Sequence, residues 1–221
     1  MAQQIFTARA GGLSTGDFAS LNLGDHVGDN SVSVEANRAI LRTLLSQKQP
    51  IFMNQVHGDA GIEVDEKTQS PVTADAIVTR VVGLPLTVLA ADCLPILISS
   101  SSVVGAVHAG RKGVLAGVIS KTVLAMRELG AKDLRAKIGP AICKDCYEVD
   151  VEMYEAAVLQ KPKLATSSVS HRLDLRSAAK FELESLRVKV ESIEICTAHD
   201  SNYFSYRRDG QTGRSAGVVV L

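Results

Sequence analysis

The stretch LTVLAADCLPILISSSSVVGAVHAGRKG, residues 86–113, decides the fold and carries the most informative side chains. Its first apolar run, 86–91, is typical of a strand buried on both faces. Because a proline cannot donate to a β-ladder, Pro95 predicts a break or a sheet edge before the strand resumes over 95–98. A serine-rich turn then leads into a returning strand over 103–109. Cys93 and His108 lie where these strands end, and packing alone requires neither, so the stretch indicates a site.

Outside this stretch, predicted helices and strands alternate without a regular repeat. Helices are predicted over 114–129, 151–159 and 175–188, and another is capped at Asp29, Asn30 or Ser31 and runs to about residue 47. Strands are predicted over 5–8, 51–58, 62–65, 74–79, 134–138, 193–197 and 216–221. We therefore expect an α/β fold with mixed β-sheets sandwiched by helices, not a Rossmann repeat. No linker interrupts the pattern, so residues 1–221 are predicted to form a single domain.

The charge balance and the cysteine content limit the classes of partner and the compartment. Lys and Arg total 24 and so do Asp and Glu, which argues against nucleic acid or an acidic membrane as a main partner. The first residues lack the apolar core of a signal peptide, and no run approaches the roughly 20 apolar residues of a membrane span. Four cysteines in 221 residues fit a reducing cytosol better than a disulfide framework. The expected location is the cytoplasm.

Three possible metal ligands lie far apart in the sequence, but each ends a predicted strand. They are His57, Cys93 and His108. Two imidazoles and a thiolate leave a fourth position for water or substrate, which is typical of catalytic rather than structural zinc. Copper accepts the same ligand set, so the ligand types do not decide between Zn²⁺ and Cu²⁺. Asp92 and Gln55 are predicted to orient the ligands from behind.

Polar residues in two other stretches have both a functional and a structural interpretation. The loop at 20–30 is dense in Gly, Asn and Asp, which favours a surface turn over a lid that brings Asn22 and His26 to a pocket. Arg111 and Lys112 precede the predicted helix at 114, where they either bind an anion or are simply solvated.

Two short motifs in the second half of the chain also have both a functional and a structural interpretation. Arg207 and Arg208 either clamp a phosphate or belong to a solvated turn. Cys143 and Cys146 form a C-x-x-C that suits a redox pair or half of a zinc site. No second C-x-x-C exists in the sequence, which favours an ordinary loop.

Several short blocks, in order and over nearly the whole chain, resemble the YfiH-type family. Its members are called laccase-domain or polyphenol oxidase proteins, and also multifunctional purine nucleoside phosphorylases. The blocks are LNLG (21–24), HVGD (26–29), NR (37–38), NQVHG (54–58), ADCLP (91–95), VHAG (107–110), GPAI (139–142), CYEV (146–149) and FSYRRDG (204–210). Each block alone is weak, but the ordered set is specific.

The resemblance implies an activity on purine nucleosides. It implies phosphorolysis of adenosine, inosine and methylthioadenosine to the free base and ribose 1-phosphate, with adenosine deamination as a side activity. It also implies a metal, Zn²⁺ or Cu²⁺, held by His57, Cys93 and His108. Copper-dependent oxidation of phenols is ascribed to the family as well. The fold further resembles cysteine hydrolases of the deamidating-toxin type, which would use Cys93 and His108 as a dyad without metal.

The expected site residues follow from these blocks. The catalytic set is Cys93, His108, His57, Asp92 and Lys112, and the substrate-binding set is Asn22, Arg38, Gln55, Arg111, Tyr147, Arg207 and Arg208. The chain departs from the family pattern after His-Ala-Gly, where Arg111-Lys112-Gly113 replaces the usual Trp-Arg-Gly. Lys112 keeps a cation but lacks the planar fork of arginine, and the stacking surface of the Trp is lost.

The sequence leaves three further questions undecided: the proton-shuttling carboxylate, the role of the metal and the oligomeric state. A deaminase would need a carboxylate to move protons, and Asp92, Asp75 and Glu148 are the candidates. A non-enzymatic role, in which the metal only stabilises the strands, is the remaining alternative to the two enzyme hypotheses. The sequence does not indicate an oligomeric state.

Overall fold

The structure is a computed structural model that describes residues 2–45, 48–167 and 171–221. The strands are β1 Gln3–Phe6, β2 Met53–Asn54, β3 Gly61–Glu63, β4 Val72–Thr73, β5 Ala76–Thr79, β6 Leu86–Ala90, β7 Leu94–Ser99, β8 Val104–Ala109, β9 Arg135–Ile138, β10 Ala165–Ser167, β11 Arg172–Leu173, β12 Lys189–Ser192 and β13 Ser215–Val220. The helices are α1 Ser31–Thr43, α2 Arg111–Ala116, α3 Val118–Glu128, α4 Val151–Gln160, α5 Leu175–Ser185 and α6 Tyr206–Asp209, with 3-10 turns at Gly16–Phe18 and Pro162–Leu164.

Two sheets form the centre of the fold. The larger has the strand order β12-β9-β7-β8-β5-β3, with parallel pairs at both edges and antiparallel pairs between them. The smaller is antiparallel in the order β1-β13-β6, so the first and last strands of the chain share a sheet. This is the mixed α/β architecture that the sequence predicted, without a regular βαβ repeat.

The side chains of the larger sheet divide between two apolar layers, as the two-residue period of a strand requires. On one face, Leu97 and Ala106 pack against Leu86 and Val88 of the smaller sheet. The other face carries Ile96 and Val107 and packs against helices α3 and α5. On the far side of the smaller sheet, Val218 and Leu89 pack with Leu41 of α1. The result is a helix–sheet–sheet–helix sandwich with an aliphatic core.

The helix predicted over 114–129 is two helices. Helix α2 begins at Arg111, directly after the strand that carries His108, and the break comes at Gly117. Gly117 has φ +86°, a left-handed conformation that suits glycine because it has no Cβ. Arg111 and Lys112, which were expected to precede the helix, therefore belong to its first turn.

Two strand predictions were wrong in extent or position. The segment 51–58 pairs as a strand only over Met53–Asn54, because the backbone turns before His57. The chain does break before Pro95, between β6 and β7, but Pro95 itself is not at a sheet edge: it lies in β7 between β8 and β9. It is tolerated because the β7–β9 ladder begins only at Ile96, and Gly139 N donates to the carbonyl of Pro95 at 2.9 Å.

The segment 193–197, predicted as a strand, is a loop that follows β12. An isolated parallel bridge joins Cys196 to Ala141, and Ala141 N donates to the carbonyl of Ile195 at 3.2 Å. The guanidinium of Arg176 also donates to the carbonyls of Ile193 (2.6 Å) and Ile195 (3.1 Å).

Helix α1 ends at Thr43, and the predicted continuation to residue 47 includes positions outside the described residues. Asn30 caps this helix as predicted, and its side chain accepts hydrogen bonds from the N–H groups of Val32 and Ser33. In the described part of the chain, no helix has both the length and the apolar character that crossing a membrane requires.

Candidate metal centre

The three predicted ligands converge at one end of the sandwich. His108 lies on β8 and is buried, Cys93 lies between β6 and β7, and His57 lies in the turn after β2. One ligand atom from each side chain lies within 4.8 Å of those of the other two. The two imidazole rings meet edge to face, with their centroids 4.7 Å apart. The geometry therefore brings together two ring nitrogens and a sulfur that could hold one metal ion.

Asp75 fixes both histidines. Its carboxylate is fully buried and lies 2.8 Å from Nδ1 of His108, so a ring with its proton on Nδ1 donates to Asp75 and turns Nε2 toward Cys93. The same carboxylate accepts hydrogen bonds from the backbone N–H groups of Val56, His57 and Gly58 at 3.2, 3.0 and 2.7 Å. These bonds hold the turn in which His57 adopts φ +60°, an uncommon backbone conformation for a residue with a side chain.

The electrostatics of Asp75 agree with this role. Burial alone would raise the pKa of the Asp75 carboxyl, but the hydrogen bonds from His108 and Gly58 outweigh burial and hold the pKa below its usual value. The carboxylate is therefore ionised at neutral pH. A carboxylate behind a ligating histidine is a common arrangement in metal sites, because it sets the tautomer and the ring orientation.

Cys93 and His108 shift each other's pKa. Burial favours the neutral thiol, but the charge and hydrogen bond of His108, together with His57, lower the pKa of Cys93 to about 6. Burial likewise disfavours the imidazolium, and Cys93 and Asp75 overcome it and raise the pKa of His108 to about 9. The site thus stabilises a thiolate at neutral pH, the form that binds metals and acts as a nucleophile.

Asp92 and Gln55, which were predicted to orient the ligands from behind, lie next to them in the chain and bond to other segments. The carboxylate of Asp92 accepts hydrogen bonds from Thr197 Oγ1 (2.6 Å), Ser205 Oγ (2.7 Å) and Arg207 N (2.7 Å). These bonds hold Asp92 at φ +96°, so Asp92 fixes the backbone from which Cys93 projects. The amide of Gln55 makes two hydrogen bonds of 2.8 Å to the backbone of Leu89 and ties the His57 turn to β6.

A cavity of about 540 Å³ opens above the three ligands. Its lining combines apolar side chains with a few polar ones, as small-molecule sites usually do. The lining residues are His26, Gln55, His57, Leu89, Ala90, Ala91, Asp92, Cys93, His108, Ile142, Tyr147, Tyr206, Arg207 and Arg214. The loop at 20–30 therefore brings His26, but not Asn22, to the cavity, which is one part of the interpretation that the sequence disfavoured.

Tyr147 and Arg207 form one wall of this cavity. The guanidinium carbon of Arg207 lies 5.4 Å from the centroid of the Tyr147 ring, and its Nη1 donates to the carbonyl of Cys146 at 2.9 Å. Burial and the charge of Cys93 raise the pKa of the Tyr147 phenol, while Arg111 and Arg207 oppose the shift. Arg111 is thus close to Tyr147, although it is not among the cavity-lining residues.

Besides Arg111, four predicted site residues do not line the cavity. Asn22 is buried, and its amide bonds to Gly24, Asp29 and the backbone of Arg214. Arg38 donates to Leu23 O, lies over the ring of Phe52 and faces a separate cleft of about 680 Å³ that contains none of the three ligands. Lys112 is exposed to solvent. Arg208 pairs with Asp209 and donates to nearby carbonyls.

Of the three carboxylates considered as proton shuttles, only Asp92 lines the cavity among the described residues, and its oxygens are occupied as described above. Asp75 lies behind His108, and Glu148 is exposed and faces Arg172 at 3.7 Å. The sequence analysis missed Tyr206 and Arg214 as lining residues. Arg214 is a lone cation in a turn before a strand, and no pattern in the sequence distinguishes it from a solvated residue.

Gly110 lies directly against the three ligands. A Cβ at this position would meet Cys93 Sγ at 2.9 Å and His57 Cδ2 at 3.1 Å. The backbone of Gly110 has φ −74° and ψ 170°, which any residue can adopt, so the constraint comes from the ligands rather than from the backbone.

We expect Gly110→Ala to lower the affinity of this site for a metal by about 10-fold or more, because the new methyl group displaces Sγ and the His57 ring. A competition titration with a chromophoric chelator measures the change. The matched control is Gly61→Ala, whose added Cβ would only touch Ala76 Cβ at 3.8 Å. Equal metal affinity in the two variants would contradict the expectation.

The fold and the site together define a class of α/β proteins with a His-Cys-His centre at the end of two packed sheets. The chain belongs to the family described as multi-copper polyphenol oxidoreductase laccase, whose sequence profile matches residues 3–221. This agrees with the family that the sequence blocks indicated.

Similar proteins and solved structures support the assignment to this family. The chain is 41% identical to a purine nucleoside phosphorylase of Corynebacterium glutamicum over 99% of this chain and 94% of the relative. It is 43% identical to one from Streptomyces coelicolor over 98% and 94%. The crystal structure of the Neisseria meningitidis protein NMB0706 superposes with a TM-score of 0.90 at 33% identity, covering 100% of this chain and 94% of that one. YlmD from Geobacillus stearothermophilus gives 0.87 at 31% identity, with 99% and 91% covered.

Proposed function

We propose that this protein is a metal-dependent purine nucleoside phosphorylase, with the metal held by His57, Cys93 and His108. The observation that carries the proposal is the convergence of these three side chains at the base of a cavity of about 540 Å³. The names of the relatives supply the reaction class, since the matched Corynebacterium and Streptomyces proteins are called purine nucleoside phosphorylases. The proposed substrates are adenosine, inosine and methylthioadenosine, together with phosphate.

The residues present fit a catalytic metal. Two imidazoles and a thiolate suit zinc, and Asp75 supports His108 in the way that ligating histidines are usually supported. We assign zinc rather than copper to this site, because three ligands with an open position are the usual set of catalytic zinc. When bound, the ion would supply Lewis-acid polarisation of a substrate or phosphate oxygen.

The protein's own groups would hold the two substrates. Arg207 and Arg214 place two cations on the cavity wall, where a phosphate dianion is attracted and can be bound through paired N–H groups. Burial lowers the pKa of Arg214, although Cys93 and Asp92 nearby oppose that shift, and the guanidinium stays charged at any working pH. Tyr147 and Tyr206 offer aromatic rings to a purine base.

Phosphorolysis fits this cavity better than deamination. Deamination of adenine requires a carboxylate that exchanges protons with the base. Asp92 accepts three hydrogen bonds from the protein and Asp75 is sealed behind His108, so neither is free for that role. Phosphorolysis instead needs a bound phosphate next to the ribose, and the two arginines meet that requirement. We therefore place adenosine deamination second, as a side activity.

The same geometry also favours a second candidate, a metal-free cysteine hydrolase. Cys93, His108 and Asp75 form a thiolate, imidazole and carboxylate series, which is the usual arrangement of an activated cysteine nucleophile. In that case Cys93 would attack an acyl carbon and His108 would donate the proton to the leaving group. The two candidates make opposite predictions for chelation.

The test incubates the protein with adenosine, with and without phosphate, and resolves adenine, inosine and hypoxanthine by chromatography. We expect adenine and ribose 1-phosphate only in the presence of phosphate, and loss of both products after removal of the metal with a chelator. Inosine formed without phosphate would instead show deamination as the main activity. Absence of products from metal-loaded protein in both tubes would overturn the purine proposal. An acyl hydrolase activity that survives chelation would favour the cysteine hydrolase.

A further inference from the structure

A second group of potential metal ligands lies behind the cavity wall. Cys143, Cys146, Cys196 and His199 each offer a ligand atom, and these four atoms all lie within 4.8 Å of one another. None of the four residues lines the cavity above His57, Cys93 and His108. In sequence they form two short motifs, a C-x-x-C and a C-x-x-H, at the ends of two loops.

The backbone of both motifs is already arranged as a pair of matching tight turns. In the first, the N–H groups of Cys146 and Tyr147 both donate to Cys143 O at 3.1 Å. In the second, His199 N and Asp200 N donate to Cys196 O at 3.2 and 2.9 Å. Each turn therefore points its two ligand side chains in one direction.

Contacts between the two turns bring the ligand atoms face to face. Cys143 N donates to Cys196 Sγ at 3.3 Å, and Cys146 Sγ lies 3.0 Å from His199 Nε2. A backbone N–H that donates to a sulfur is favourable when that sulfur carries negative charge, as it does on a metal. All four cysteines of the chain are free thiols, so no disulfide competes for these sulfurs in the structure.

We propose that Cys143, Cys146, Cys196 and His199 bind a structural zinc ion. Three thiolates and one imidazole complete a tetrahedral set, the closed coordination of structural zinc sites, and the two-residue spacing within each motif is the usual one. Three thiols packed together without a cation would repel one another once ionised, whereas Zn²⁺ neutralises that charge. The soft ligand set also disfavours magnesium or calcium.

The position of this site suggests what the zinc does. Cys146 precedes Tyr147 of the cavity wall and accepts a hydrogen bond from Arg207 through its carbonyl. Cys196 precedes Thr197, whose hydroxyl donates to Asp92. The ion would thus tie together the two loops that carry Tyr147 and the partners of Asp92. It would hold the cavity wall without taking part in the chemistry.

Metal content of the purified protein, refolded or exchanged in zinc sulfate and then freed of loosely bound ion, tests the proposal. We expect two zinc ions per chain in the wild type and one in Cys93→Ser, Cys196→Ser and His199→Ala. His171→Ala is the matched control, because His171 packs against Tyr154 away from the cluster, and it should keep both ions. A wild-type protein with one zinc that disappears in Cys93→Ser would overturn the second site.

A second measurement keeps the test decisive if Cys196→Ser does not fold. Cys93→Ser loaded with cobalt chloride should show the intense visible and near-ultraviolet bands of tetrahedral Co²⁺ bound to several thiolates. Iodoacetamide should leave Cys143, Cys146 and Cys196 unmodified until a chelator is added. Absence of those bands, or a mass showing that two of these cysteines form a disulfide in metal-loaded protein, would refute the proposal.

Discussion

Replacing Cys93 with serine should lower kcat/KM for phosphorolysis by about 1,000-fold, which corresponds to about 4 kcal/mol of transition-state stabilisation. The structure explains the size of the effect. His108 and His57 lower the pKa of the Cys93 thiol to about 6, so a thiolate ligand is available at neutral pH. A serine hydroxyl of similar volume stays protonated there and is a poor ligand. The expected loss is therefore of the metal itself rather than of one hydrogen bond.

Two measurements separate loss of the metal from loss of the fold. The metal content of Cys93→Ser should fall by one ion per chain, while the metal-free forms of the wild type and the variant should melt at similar temperatures, because serine is close to cysteine in volume and a bound ion no longer contributes to either. Under the second-site proposal, Cys196→Ser shows the complementary pattern, with the catalytic ion retained and a melting temperature lower by several degrees. A Cys93→Ser variant that retains its metal and full phosphorolysis would contradict the assigned site.

The sequence was sufficient to locate the three central ligands for a definite physical reason. Buried strands consist of apolar residues, so a cysteine or a histidine at the end of such a run is conspicuous. Adjacent apolar runs joined by a short turn also favour antiparallel pairing, and the runs on either side of the serine-rich turn do pair in this way, as β7 and β8. In the structure the side chains of Cys93, His108 and His57 lie close together.

The contacts between distant segments could not be predicted in the same way. Asp75 reaches His108 because β5 pairs with β8 in a particular register, with Ala76 opposite Val107. Arg214 reaches the cavity because β13 pairs with β6. Neither register is visible in one sequence, so Asp75 was considered as a proton shuttle and Arg214 was not considered.

The second cluster was missed for a related reason. The C-x-x-C was noticed, but its partner was sought as another C-x-x-C, and the Cys196-Thr-Ala-His199 motif lies 53 residues further along the chain. The segment 193–197 was also predicted as a strand, which would have pointed alternate side chains to opposite faces. In the structure the segment is a loop with an isolated bridge from Cys196 to Ala141, and Arg176 donates to its carbonyls at Ile193 and Ile195.

Asp75→Asn should produce the largest loss of stability among conservative substitutions at the site. The carboxylate accepts hydrogen bonds from three backbone N–H groups and contacts His108, and an asparagine amide turns one of these acceptors into a donor. The buried NH₂ group of the asparagine would then face an N–H donor that previously bonded to the carboxylate. We expect a loss of about 3 kcal/mol in the free energy of unfolding and a fall of about 10–100-fold in metal affinity, since His108 loses its support.

The pH dependence gives this prediction a second readout. The pKa of Asp75 is held below the ordinary value of 3.8 in the folded protein, so its contribution is fully present above that value and is lost as the pH falls through the lower folded-state pKa. The difference in unfolding free energy between the wild type and Asp75→Asn, measured by urea titration of metal-free protein, should therefore shrink below about pH 3.8. It should also shrink as the pH rises from 6.5 through about 9, because His108, whose pKa Asp75 helps to raise, then loses its proton.

The matched control for this substitution is Asp59→Asn. Asp59 belongs to the same segment as the His57 turn, but it is at the surface and pairs with Lys121. Asp59→Asn should leave the metal affinity and the urea midpoint close to those of the wild type, because solvent replaces the lost ion pair. If Asp75→Asn also unfolds at the wild-type urea concentration and binds zinc as tightly, then Asp75 does not position His108 and the His57 turn, and the metal centre must be held by other contacts.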